Sequence, residues 1–180
     1  MTSGRRSRTV RELAAAAASA GSPGSEGPRG TALVERARQL VAAGFAEYSV
    51  LHPWESPATA YRRGRGYCLQ YNGLLYQVLR ELGVDCRFVS AARVRVHNDP
   101  SWRGGHAWVR VRRDGVILDV CAHLGTDGPG RVRFTPLTRV SEVRPPRSTS
   151  AVVGMLALGA ALRARQGLGG GVPAWAHHPW

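Results

Sequence analysis

The stretch "YCLQYNGLLYQVLRELG", residues 67–83, limits the fold more than any other part of the chain. Leu75, Val78, Leu79 and Leu82 recur at helical spacing, and Gly83 is a natural stop just past the last of them. Tyr71 and Cys68 extend the same face backwards, so Cys68 stands at the N-terminus of a helix over Tyr67–Leu82 and looks inward. A helix with one apolar face needs a surface to bury it. "VDCRFVSAARVRV" follows at once, β-branched and alternating, and reads as a strand. After the polar loop "HNDPSWRGG", "HAWVRV" and "VILDV" flank "RRDG" as a β-hairpin. The expected class is therefore α+β, with the Cys68 helix packed on an antiparallel sheet.

Around this core the chain divides into three expected parts. Residues 1–30 are rich in Ala, Gly, Ser, Pro and Arg and read as a disordered tail. Their Ala run after Glu12 is too short and too weakly apolar for an export signal. Residues 31–148 are the expected domain. Thr31 can cap a helix whose apolar stripe is Leu33, Ala37, Leu40 and Val41. Residues 46–60 carry two prolines and read as a connection, with a short helical turn over 58–63, and "RVRF" near residue 132 reads as a further strand. Residues 149–180 form an apolar helix over 151–165, expected to dock on the domain or on a partner, and then a flexible tail. That helix is shorter than the roughly 20 apolar residues of a membrane span.

The charge is strongly basic: 25 arginines and no lysine against 12 acids, for a formal net charge of +13. The excess is spread, +3 over residues 1–30, +8 over 31–150 and +2 over 151–180. No basic block interleaved with aromatics occurs, so specific nucleic-acid binding is not expected beyond a general attraction to polyanions. The plentiful Arg, Ala, Gly and Pro also fit a GC-rich coding bias. Three cysteines make no disulfide framework and suit a reduced, cytoplasmic setting.

Thiol catalysis needs a thiolate, a general base within hydrogen-bond reach and a group that orients the base. Cys68 heads a helix, where partial positive charge favours a thiolate and a low pKa; His106 begins a strand, and Asp119 lies on the next. Whether His106 faces Asp119 depends on the hairpin loop. A four-residue loop, 111–114, with Gly115 as a bulge, puts them opposite each other. A tight turn at Asp114–Gly115 puts Arg110 opposite Asp119 instead, four residues out of step, and turn preference slightly favours it.

The motifs Gly66–Tyr67–Cys68, Leu79 to Gly83, His106 to Val109 and Leu118–Asp119 occur in one order. In that order, over roughly residues 55–122, the chain resembles the core of the transglutaminase-like superfamily, a papain-like fold. The resemblance implies a catalytic triad of Cys68, His106 and Asp119. It implies attack by Cys68 on the carbonyl of a peptide or other amide-bearing substrate, an acyl-enzyme, and neither cofactor nor metal. The backbone N–H of Cys68 would donate to the oxyanion, with Gln70 or Tyr67 as a second donor and Trp108 as a wall of the site or a core aromatic. Arylamine N-acetyltransferases share the core. "GRGYCLQYN" is similar to their cysteine motif, with Asn72 kept, but Gln70 stands where that family has Glu and "VCAHLG" follows Asp119. Acetyltransferase or amide-synthase chemistry is therefore the alternative within this fold. The same fold kept as a non-catalytic binding module is the alternative outside enzymology.

The other candidates carry plainer readings. Cys86 reads as an ordinary buried thiol, and Cys121 with His123 as a poor metal signature without partners. His177 and His178 fall in the tail, and the rival bases His52 and His97 lie in loops.

Overall fold

The computed structural model describes residues 8–19, 30–99, 101–113, 115–124 and 128–144. Its helices are α1 (Arg8–Ala18), α2 (Thr31–Ala43), α3 (Pro57–Arg63) and α4 (Cys68–Glu81). Its strands are β1 (Glu47–Tyr48), β2 (Arg65–Gly66), β3 (Cys86–Val96), β4 (Arg103–Arg113), β5 (Val116–Val120), β6 (Phe134–Pro136) and β7 (Ser141–Glu142). The apolar segment over 151–165 and the tail after it lie outside the described residues.

The antiparallel sheet has the order β5-β4-β3-β6, and β7 also pairs with β3. α4 packs on one face of it. Leu74, Leu75, Val78 and Leu79 of α4 meet Phe88, Val109, Val111 and Val120 in one fully buried core. The helix stops as its glycine requires: Gly83 takes φ 74°, and the Val84 N–H returns to the Leu79 carbonyl at 2.9 Å. The other sheet face buries a smaller cluster of Val89, Ala91, Val94, Trp108, Cys121 and Phe134. Trp108 is wholly buried there and is a core aromatic.

Two local elements place the chain leading into α4. Ser56 caps α3, its hydroxyl accepting from the Thr59 N–H at 3.1 Å, with Pro57 in the first turn. Gly64 then leaves the helix at φ 73°. The chain emerges as β2, which pairs in parallel with β1 so that Tyr48 lies beside Gly66, two residues before Cys68. α2 begins at Thr31 without side-chain capping, Gly30 standing in the cap position that Thr31 was expected to fill.

The expected disordered tail over 1–30 needs correction. Arg8–Ala18 is a helix, and Val10, Leu13, Ala14 and Ala17 are buried against α2 and α4. These four follow the i, i+3, i+4, i+7 spacing of an amphipathic helix. The pattern is faint in the sequence because two of the four are alanines among alanines. Each alanine buries little area, but its small size lets helices approach closely. Leu13→Ala should therefore cost about 2–5 kcal/mol, the usual range for truncating a buried leucine, read as a lower urea midpoint. An unchanged midpoint would mean that α1 contributes nothing to the folded domain.

Candidate active site

The site forms where α4 begins and where β4 and β5 part. Asn72, wholly buried and one turn after Cys68, fills the gap between the two strands. Its Nδ2 donates to the Ala107 carbonyl at 2.8 Å, and its Oδ1 accepts from the Ala122 N–H at 2.8 Å. The side-chain amide thus takes the place of a ladder rung just past the last paired residue of β5. Cys68 and Asn72 are at i and i+4, so both face the sheet. Cys68 Sγ faces the backbone N–H groups of Ala107, of Leu69 and of Cys68 itself. Cys68 is therefore held against the strand residue that follows His106.

Gln70 holds the other side of the helix start. Its Oε1 accepts from the Tyr67 N–H at 3.2 Å, while its Nε2 donates to the carbonyls of His52 (2.9 Å) and Glu55 (3.2 Å). The Tyr67 hydroxyl donates to the Pro53 carbonyl at 3.4 Å. Both expected second oxyanion donors are thus engaged in holding the 52–55 loop. A residue that sequence reasoning did not single out takes a place there: the Tyr48 hydroxyl faces the Cys68 N–H. Burial pushes the Tyr48 pKa far up, with the nearby Cys68 adding to it, so the phenol stays protonated. Its ring stacks on His123 at 4.4 Å.

His106 is buried, between Phe134 (4.8 Å between ring centroids) and Trp108 (6.1 Å). Its Nε2 lies 3.3 Å from Cys121 Sγ. Asp119 is elsewhere, and its expected place beside His106 is a correction. Arg113 pairs with Val116 across a tight connection in which Gly115 takes φ 77°. That register puts Asp119 opposite Arg110. The Arg110 Nε donates to Asp119 Oδ1 at 2.9 Å and its guanidinium Nη2 to Oδ2 at 3.3 Å, a two-pronged, half-buried ion pair. Arg110 and His106 are four residues apart on one strand, so Asp119 is displaced from His106 by about 13 Å along the sheet. The residue that reaches His106 from β5 and the turn after it is Cys121. The rival histidines are placed apart, His52 edge-on to Trp54 and His97 hydrogen-bonded to Thr135.

Burial sets the protonation states. It pushes the Cys68 thiol up to about 11, with Cys121 adding to the rise, and holds His106 well below the usual histidine range, with His123 adding to the fall. Both shifts favour a neutral thiol and a neutral imidazole, not the thiolate expected at a helix N-terminus. The cause is that both groups are shut away from water, and desolvation opposes either charge.

The sequence of residues 25–116, about half of the chain, matches the family model described as the transglutaminase-like superfamily. The chain belongs to that superfamily. Two solved structures are similar to parts of the chain. One is a TGase, at 12% identity and TM-score 0.48, covering 64% of this chain and 30% of that one. The other is a protein of Cytophaga hutchinsonii provisionally described as a cysteine protease, at 14% identity and TM-score 0.46, covering 77% of this chain and 50% of that one. The chain thus spans between about a third and a half of the length of those two. No curated protein matches it by sequence. Membership gives the chain the α+β, transglutaminase-like fold of a superfamily of thiol-dependent enzymes. Among the described residues, no helix is long and apolar enough to cross a membrane.

The buried histidines fix a response to pH. His106 is depressed well below its ordinary value and His123 to about 4, in each case chiefly by burial. Their contribution to stability is complete above the unfolded value of about 6.5 and is lost as pH falls towards 4. Cys68, raised to about 11, has the opposite sense: its contribution is present below the unfolded thiol pKa of about 8.5 and is lost as pH rises towards 11. Urea midpoints should therefore be flat between about pH 7 and 8 and fall on both sides. A midpoint that stayed constant down to about pH 4.5 would mean that neither histidine is buried neutral.

Proposed function

We propose that the protein is a cysteine-dependent hydrolase or acyltransferase that opens or transfers a peptide or other amide bond through an acyl-enzyme on Cys68. The observation that carries this reading is the seat of Cys68: the first residue of the buried helix, its sulfur on the Ala107 N–H, next along β4 from the buried His106. In this reading His106 takes the Cys68 proton as the sulfur attacks the carbonyl carbon, then returns it to the leaving amine. Substrate carbonyl oxygen would compete for the Cys68 N–H that now serves Tyr48. The protonated phenol would then turn its O–H towards the developing oxyanion. Neutral resting groups suit a mechanism in which proton transfer accompanies attack, since no ion pair must be kept in a dry site.

One observation favours a second reading, the fold retained as a binding module. Among the described residues no carboxylate hydrogen-bonds to His106, and a thiol stands there instead. The two readings part in a single experiment. The full chain is incubated with acetyl-CoA, glutamine peptides and generic peptide amides, and followed by intact-mass measurement. A covalent adduct is expected on Cys68 and should be absent in Cys68→Ala and His106→Ala. Asp119→Asn should form it at a rate within about threefold of wild type, because its partner is Arg110. No adduct with any donor, together with equal alkylation of the three thiols by iodoacetamide, would favour the binding module.

A further inference from the structure

Cys121 is wholly buried, and the chemistry above gives it no task. Four nitrogens converge on its sulfur. His106 Nε2 lies at 3.3 Å, the His123 backbone N–H at 3.4 Å and Asn72 Nδ2 at 3.6 Å, and the Leu124 backbone N–H also faces it. Cys86 is the contrast within the same chain. It is buried among the apolar side chains of the helix-side core and behaves as a small hydrophobe. The Cys121 sulfur instead sits at the end of β5 where the chain turns, in a ring of N–H donors. Three of the four nitrogens carry hydrogens whatever the pH, so the sulfur's lone pairs already face donors. The contact with His106 Nε2 can run in either direction, and only the Nε2–H sense leaves Nδ1 free to take a proton.

We propose that Cys121 is the positioning residue of His106. Its sulfur accepts the Nε2–H and so holds the imidazole in the tautomer whose Nδ1 is free to take a proton. This is the task of the carboxylate in a cysteine–histidine–aspartate triad, moved to a thiol two residues further along the chain than Asp119. The proton count closes without Cys121 changing state. The Cys68 S–H bond breaks as the sulfur bonds to carbon, its proton goes to Nδ1, the Nε2 proton stays on the ring, and Nδ1 later returns a proton to the leaving amine. Sulfur is a longer and weaker acceptor than a carboxylate oxygen. The neutral thiol therefore sets geometry and tautomer, with little stabilisation of the imidazolium.

The inference rests on Cys68 as nucleophile and His106 as base, and its test is chosen to fail separately from that reading. Ring-nitrogen NMR of the resting, ¹⁵N-labelled full chain reads the His106 tautomer without turnover, the signal being assigned by its loss in His106→Gln. Wild type should show the Nε2–H tautomer. Cys121→Ala should show a mixture and should label at Cys68 with iodoacetamide at least ~10-fold more slowly, in line with the loss of an oriented base. Cys121→Asp should keep the Nε2–H tautomer and label at Cys68 at least as fast as wild type. A merely structural thiol predicts the reverse order, with alanine tolerated and a buried aspartate harmful. Should Cys121→Asp not fold, Cys121→Ser decides, since its hydroxyl can accept the same bond and should label faster than Cys121→Ala. An Nδ1–H tautomer in wild type, or an accepting variant no faster than alanine, would overturn the proposal. An Nε2–H tautomer in a chain that forms no acyl-enzyme would count against Cys68 and leave Cys121 in place.

Discussion

A single buried amide, Asn72, holds the site together. Its side chain joins α4 to β4 and β5 at the point where the two strands stop pairing. Each of its two bonds satisfies a main-chain group shut away from water, and such a group costs about 1–3 kcal/mol when left alone. The amide therefore does what a leucine in the same space could not. It lets the sheet open beside His106 without stranding the Ala107 carbonyl or the Ala122 N–H. Cys68, one helical turn earlier, is brought by the same contact to the Ala107 N–H, and the Cys121 sulfur is reached by the same Nδ2. The two thiols are thus referred to one side chain, and the imidazole to the second of them.

Gln70 plays a parallel part on the outer side of the helix start. Its side chain bonds to main-chain atoms at three residues, Tyr67, His52 and Glu55. Together with the parallel pairing of Tyr48 beside Gly66, they bind the 47–56 segment to the first turn of α4. Tyr48 consequently belongs to the surroundings of Cys68 although twenty residues separate them in sequence. The site is built from a helix start, a strand, the end of a hairpin and a loop. Each of these is held by hydrogen bonds to side chains that look unremarkable in the sequence.

The core was legible because periodicity reports burial directly. The stripe of α4, the Gly83 stop and the alternation of β3 and β4 read through to the structure. The helix α1 was not legible, since alanine carries so little hydrophobic contrast that its inward and outward positions look alike. The candidate site was legible only in part. Cys68 falls at a helix start as expected, while His106, expected to begin a strand, lies inside one that starts at Arg103. The third member depended on hairpin register, a quantity that a two-residue change in loop length alters for every pair at once. The tight connection, held by Gly115 and by the Arg110–Asp119 ion pair, settled it. Once that register is assumed, Asp119 and Cys121 alternate onto one face and Cys121 comes within reach of His106. The signal was present but hidden behind the more familiar Leu–Asp motif. Tyr48 had no such signal, because its position follows from a two-residue parallel pair that no pattern announces.

The strand that carries Asp119 has a further consequence, for how copies of the molecule meet. Among the described residues β5 pairs with β4 alone, so it is an edge of the sheet, and Val116 and Ile117 on it are more than half exposed. An open edge with apolar side chains invites a second chain to add to it. Here the neighbouring strand brings Arg110, Arg112 and Arg113 to the same border, in a protein with a net charge of +13. Two such edges approaching each other would meet like charge against like charge before any backbone bond could form. The colloidal behaviour of the protein should therefore depend on counter-ions: salt that screens the arginines brings the edges within reach of each other, and dilute buffer keeps them apart.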